Sequence, residues 1–117
     1  MWCWWGMGAW GGISSLQLGL SALFTLVKSR GLTVEHMWRW NAKNTAKLAG
    51  IAGRKGEFVV GADADVVIWS DTESFVVEGP KLHHRHPVTP YAGRTLFGVV
   101  HQTLLRGEPI FTRAEGL

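Results

Sequence analysis

Gly61-Ala62-Asp63-Ala64-Asp65-Val66-Val67-Ile68-Trp69 is the most specific string in the chain. A glycine turn and two acids one residue apart run straight into a β-branched and aromatic stretch that only a buried strand tolerates. Asp65, at the start of that strand, is placed to cap it or to bond nearby backbone. Outward from this string, Glu57 to Val60, Asp65 to Trp69, Ser74 to Val77 and Thr95 to Leu105 read as β-strands separated by Gly, Asp and Pro signals. Arg106-Gly107-Glu108-Pro109 reads as a hairpin turn leading into Ile110 and Phe111. Before Gly50 the period is helical. Ser14 or Ser15 is placed to cap a helix with Leu16, Leu20, Leu23, Phe24 and Val27 on its apolar side, ending near Gly31. Thr33 starts a second helix with Val34, Met37 and Trp38 on one side and Trp40 close by, and Asn44 or Thr45 restarts a third through Leu48 to Gly50. Helices followed by strands, without alternation, point to α/β pieces of larger units rather than to one doubly wound sheet.

At 117 residues the chain has room for one domain and not for a complete large enzyme barrel. Only 18% of residues are charged, against roughly a quarter in an ordinary soluble domain, so some apolar surface is expected to meet a partner. The net charge is +3, but the twelve Lys and Arg are scattered and form no stripe for a phosphate backbone. Nucleic acid is therefore not an expected partner. The single cysteine, Cys3, excludes an internal disulfide framework and suits a reducing compartment. Met1 to Val27 carries no charged side chain, which raises the possibility of a membrane anchor. Gly6, Gly8, Gly11, Gly12, Ser14, Ser15 and Gln17 dilute its apolar character, so a membrane span is disfavoured. No Lys or Arg precedes the apolar stretch as in a secretory signal, and the cytoplasm is the expected location. Phosphate cradling at Gly11 and Gly12 is disfavoured, because no Gly-Lys-Ser or Gly-Lys-Thr follows.

The Gly-x-x-Ala-Asp string resembles one that opens a late strand of the small β-sandwich domain in the metal-dependent amidohydrolase superfamily. Three further strings narrow the resemblance: Ala9-Trp10-Gly11-Gly12-Ile13-Ser14-Ser15-Leu16-Gln17, Arg54-Lys55-Gly56, and Leu82-His83-His84-Arg85-His86-Pro87-Val88-Thr89-Pro90-Tyr91-Ala92-Gly93. Together they resemble the C-terminal part of the allantoinase family, from about Ala9 to about Phe111. The resemblance implies an α/β fold built from the last helices of a (β/α)8 barrel followed by strands of the accessory β-sandwich. Residues 1–8 would then be an extension outside the family, 9–50 the end of the barrel with its Gly-rich loop, and 51–117 the sandwich portion.

The same resemblance implies hydrolysis of a cyclic amide, allantoin to allantoate, by a hydroxide held between two zinc ions. The family's ligands are a His-x-His pair, a carboxylated lysine, two further histidines and an aspartate, all upstream of the Trp-Gly-Gly loop. No catalytic residue and no metal ligand are therefore expected in this stretch, and the chain alone is expected to bind no zinc and to be inactive. His84-Arg85-His86 spells His-x-His, and alternate strand residues share a face. Its position, far from a first barrel strand and leading into Pro87 and Tyr91, argues for packing and hydrogen bonding instead. His36 and His101 are likewise read as structural.

The one candidate for direct substrate contact is the backbone of Ala9, Trp10, Gly11 and Gly12. In related cyclic amidohydrolases the corresponding loop hydrogen-bonds the imide-like edge of the ring, and glycine lets backbone approach a flat ligand. A tight turn required before the helix accounts for the same glycines, and the two readings stand side by side. Three functional alternatives follow. The chain is part of an allantoinase-like hydrolase whose small-molecule substrate binds only in the complete enzyme. Or it is a non-catalytic interaction protein that self-associates or pairs with a longer hydrolase subunit. Or it is a small membrane protein anchored by Met1 to Val27.

Overall fold

The computed structural model describes residues 13–85 and 88–113. Two helical runs, 16–29 and 34–48, precede a three-stranded antiparallel sheet in the order β1-β2-β3, with β1 at Val66–Val76, β2 at Thr95–Leu105 and β3 at Glu108–Thr112. The chain is thus a small α/β unit. Among the described residues no helix is long and apolar enough to cross a membrane.

A 3-10 turn at Leu16–Leu18 runs into helix α1, Gly19–Ser29. Its end matches the sequence signal at Gly31: the Gly31 N–H donates to Lys28 O and the Leu32 N–H to Val27 O, closing the last turn. The turn and helix together bury Leu18, Ser21, Phe24 and Val27, each three residues after the last. Leu16, assigned to the apolar side by periodicity, is 98% exposed. The tighter 3-10 geometry of the first turn rotates Leu18 inward in its place. Helix α2, Val34–Trp38, starts after Thr33 as expected, and the Thr33 N–H donates to His36 Nδ1 at 3.3 Å. It continues through a π-helical turn, Arg39–Lys43, into α3, Asn44–Leu48.

Two sequence-predicted strands, Asp65 to Trp69 and Ser74 to Val77, are one strand. β1 pairs with β2 on both sides of a register shift between Ser70 and Ser74, so the polar Asp71-Thr72-Glu73 run is a bulge rather than a connection. Pro109, read as part of the hairpin turn, sits in β3 at the sheet edge, where a missing N–H is tolerated. Glu57 to Val60, read as a strand, forms none.

Opposite the bulge, β2 turns its backbone toward α1. Gly98 has φ +92, and a Cβ there would lie 3.2 Å from Phe24 and 3.3 Å from Trp69, so only glycine allows this approach without displacement. The Ser21 hydroxyl donates to Gly98 O at 2.5 Å, and the Phe97 N–H donates to Thr25 Oγ1 at 2.8 Å. The Thr25 hydroxyl in turn donates to Ser21 O at 2.7 Å. Hydroxyls one helical turn apart thereby satisfy two β2 backbone groups beside the bulge. Apolar packing flanks this seam: Leu18, Val77 and Leu96 on one side, and Phe24, Val27 and Met37 on the other. Phe24 meets Trp69 edge to face with ring centroids 4.7 Å apart.

Ser21→Ala would leave the buried Gly98 carbonyl without its partner. It is expected to lower unfolding free energy by about 1–3 kcal/mol in urea titration, whereas exposed Ser29→Ala should stay within about 0.5 kcal/mol.

Candidate functional site

Two of the strings that carry the resemblance, Arg54-Lys55-Gly56 and Gly61 to Trp69, fold onto one another. The Asp63 N–H donates to Arg54 O at 2.9 Å, which brings the acids over the basic pair. Lys55 Nζ lies 3.0 Å from Asp63 Oδ2 and also donates to Asp65 Oδ2, and Arg54 Nε adds a contact to Asp63 Oδ2 at 3.3 Å. The second oxygen of Asp65, Oδ1, accepts from the Arg106 N–H at 2.9 Å, in the turn between β2 and β3. One residue away, the Gly107 N–H donates to Ala64 O at 2.9 Å. The expectation that Asp65 bonds backbone holds, but the partner lies across the sheet rather than next to it in sequence.

Gly56 fixes the other side of the cluster. Its φ is +89, and a Cβ would fall 2.7 Å from Ala42 O and 2.8 Å from Ala46 Cβ. Its carbonyl accepts from Trp38 Nε1 at 2.9 Å. Lys55 is thereby held against the helical half while it reaches the acids of the β half. The cluster lines a cleft of about 220 Å³ that also includes Trp38, Ala42 and Val66.

The electrostatics follow from this geometry. Hydrogen bonds from Lys55 and then from the Arg106 N–H hold the Asp65 carboxyl below its usual 3.8. Bonds to Asp65 and then Asp63 push the Lys55 ammonium above its usual 10.5. Both groups therefore stay charged and move away from neutrality, opposite to what a general acid or base working near neutral pH requires. The ammonium also sits where a cation bridging the two carboxylates would sit, so this donor set does not fit a zinc ion. Among the described residues no three His, Cys, Asp or Glu side chains converge as a metal cluster.

The remaining sequence candidates are placed as follows. Ala9, Trp10, Gly11 and Gly12 lie outside the described residues, as does His86, so the His84-Arg85-His86 pairing is not part of this geometry. The flanks of the two strings concerned do meet: the His83 N–H donates to Gln17 Oε1 at 2.8 Å, and the Thr89 hydroxyl donates to Ser14 O at 2.8 Å. The His and Pro string is thus tied to the end of the Gly-rich string. His84 Nε2 is buried and has no partner among the described residues. His36 bonds the start of α2, and His101 Nε2 lies 3.2 Å from Glu73 Oε1. Sequence reading missed Lys55 as the partner of both acids. The available signal was a basic pair eight to ten residues before an acidic pair, a spacing with no secondary-structure period to single it out.

No family model matches the chain. It is 48% identical over 107 residues to an allantoinase of Streptomyces avermitilis, covering 92% of this chain and 24% of that protein. It is 44% identical over 107 residues to a probable allantoinase 2 of Dictyostelium discoideum, covering 92% of this chain and 21% of that protein. Among solved structures, an L-hydantoinase (dihydropyrimidinase) from Arthrobacter aurescens superposes with a TM-score of 0.81 at 28% identity, covering 91% of this chain and 24% of that one. The chain therefore spans about a quarter or less of the length of the relatives it matches.

Replacing the ammonium tests the cluster. Asp65 contributes stability fully above its usual 3.8 and loses it as pH falls through its lowered value. Lys55 contributes fully below its usual 10.5 and loses it as pH rises through its raised value. Lys55→Met is therefore expected to lower the thermal midpoint throughout the interval between those values, with the gap to wild type closing at more acidic pH. A gap that stays constant through acid would contradict the ion-pair account.

Proposed function

We propose that this allantoinase-like amidohydrolase segment serves a zinc-dependent enzyme that opens the cyclic amide of allantoin to allantoate, and that it supplies scaffold rather than the reaction centre. The observation that carries this reading is the 48% identity over 92% of the chain. The cluster at Lys55, Asp63 and Asp65 supports the scaffold assignment, because both acids are already paired with the ammonium, and Asp65 and Lys55 are driven away from neutral pH. On this reading residues 9–50 end a catalytic barrel, 51–117 belong to an accessory β-sandwich, and 1–8 lie outside the family pattern. Zinc would be held by residues of the full enzyme outside this stretch. The backbone of Ala9, Trp10, Gly11 and Gly12 would orient the ring edge without activating water, and orientation alone leaves most of the barrier to amide hydrolysis in place. The compartment proposed is the cytoplasm.

A second reading, a non-catalytic protein that pairs with a longer hydrolase subunit, is favoured by apolar side chains left in water. Phe58 is 85% and Val60 109% exposed.

The purified chain is expected to produce no allantoate from allantoin, with or without added zinc. Turnover is expected once it is combined with the rest of an allantoinase. Zinc-dependent turnover by the chain alone would defeat the scaffold reading.

A further inference from the structure

An open groove of about 550 Å³ is lined by Val34, Met37 and Trp38 of α2, by Phe58 and Val59, and by Trp69 of β1. Its walls are fixed before any occupant arrives. Trp38 Nε1 donates to Gly56 O, Phe58 and Val59 lead into a turn in which the Ala62 N–H donates to Val59 O at 3.1 Å, and Trp69 lies edge to face on Phe24. The one charged residue of the lining, Glu57, is already paired with Lys43 Nζ at 2.8 Å. The groove falls within the size of ligand pockets, about 300–1,000 Å³. It selects an apolar, uncharged occupant with flat rings to lie against its two indoles.

Met1-Trp2-Cys3-Trp4-Trp5-Gly6-Met7-Gly8 has that chemistry. It carries three of the seven tryptophans and no Asp, Glu, Lys, Arg or His, and the proposed function gives it no place. Trp2, Trp4 and Trp5 stand eight to eleven residues before Ile13, which adjoins the Ser14 carbonyl held by Thr89. At 3.3 Å per residue they reach about 26–36 Å from that point. Helix α1 is about 16 Å long at 1.5 Å per residue. Met37 and Trp69 pack with Phe24 and Val27 in its second half, so the groove lies within that reach.

We propose that residues 1–8 fold back in cis and dock Trp2, Trp4 and Trp5 in this groove, a plug that the chain carries for its own apolar face. A tethered segment acts at an effective concentration on the order of millimolar, which favours it over a second copy in dilute solution. The proposal is independent of the proposed function and requires neither metal nor substrate.

Cys3 lies between the tryptophans and is the only cysteine, so its alkylation by iodoacetamide in the full 117-residue chain reads the plug directly. The expected rate is at least about tenfold below that of the urea-unfolded chain. Val34→Asp and Val59→Asp, at half-exposed positions, each put a carboxylate into the groove. Both should bring Cys3 to within about twofold of its unfolded rate while the amides of α1 and β2 keep their exchange protection. Leu48→Asp, exposed and off the lining, should leave the native rate unchanged. Independently, Val59→Cys should form an intramolecular disulfide with Cys3 under mild oxidation and Leu48→Cys should not, which decides the matter if an aspartate variant unfolds. A Cys3 that reacts as fast in the native chain as in the unfolded one, or protection unmoved by both groove variants, would overturn the proposal. So would protection that rises with chain concentration or a disulfide that links two chains, either of which would make a second copy the occupant.

Discussion

The Lys55 ammonium ties the end of the helical region to the entry of β1. Lys55 stands at the end of the helical region, held there by the close contact of Gly56 with α3 and the preceding turn, and it bonds both acids that open β1. Asp65 passes the constraint on through its other oxygen to the turn between β2 and β3. Three segments far apart in sequence therefore share one small electrostatic junction. Because it is partly exposed to solvent, its worth lies in fixing geometry more than in bulk stability. Through these bonds the entry to β1 is tied to both the helical region and the turn between β2 and β3.

The second constraint is the seam between α1 and β2. A bulge in β1 and the positive φ of Gly98 bring sheet backbone against the helix, and Ser21 and Thr25 satisfy the groups exposed there. Apolar clusters on either side close the seam, while the far surfaces stay open. The Cα radius of gyration is 16.6 Å, above the about 13 Å of a compact 100-residue domain. Open apolar surface in a chain this poor in charge supports the proposal that the unit packs against more protein.

Much of this was legible in the sequence. The helix ends at Gly31 and Gly50, the long β2 strand and the structural role of Asp65 all follow from local chemistry. The errors have two causes. Leu16 is exposed because a 3-10 turn shifts the helical phase, and Asp71 to Glu73 form a bulge because the pairing with β2 resumes beyond them. Glu57 to Val60 has a strand's composition without a neighbour to complete it. Leu16 turns on the local geometry of the first helical turn, whereas the last two depend on a tertiary partner that no local window contains. The pairing of Lys55 with two acids eight and ten residues later is of the same kind.

The functional consequence is that the most specific string in the chain is committed to architecture. Its paired acids, read from the sequence as scaffold, form an occupied ion-pair junction with Lys55. The most direct test is carbon-13 NMR of the Asp63 and Asp65 carboxyl groups, titrated with pH and then with zinc. The account predicts that Asp65 titrates below the usual 3.8 and that saturating zinc shifts neither carboxyl while Lys55 is present. Stoichiometric zinc-induced shifts of both carboxyls at neutral pH would contradict it.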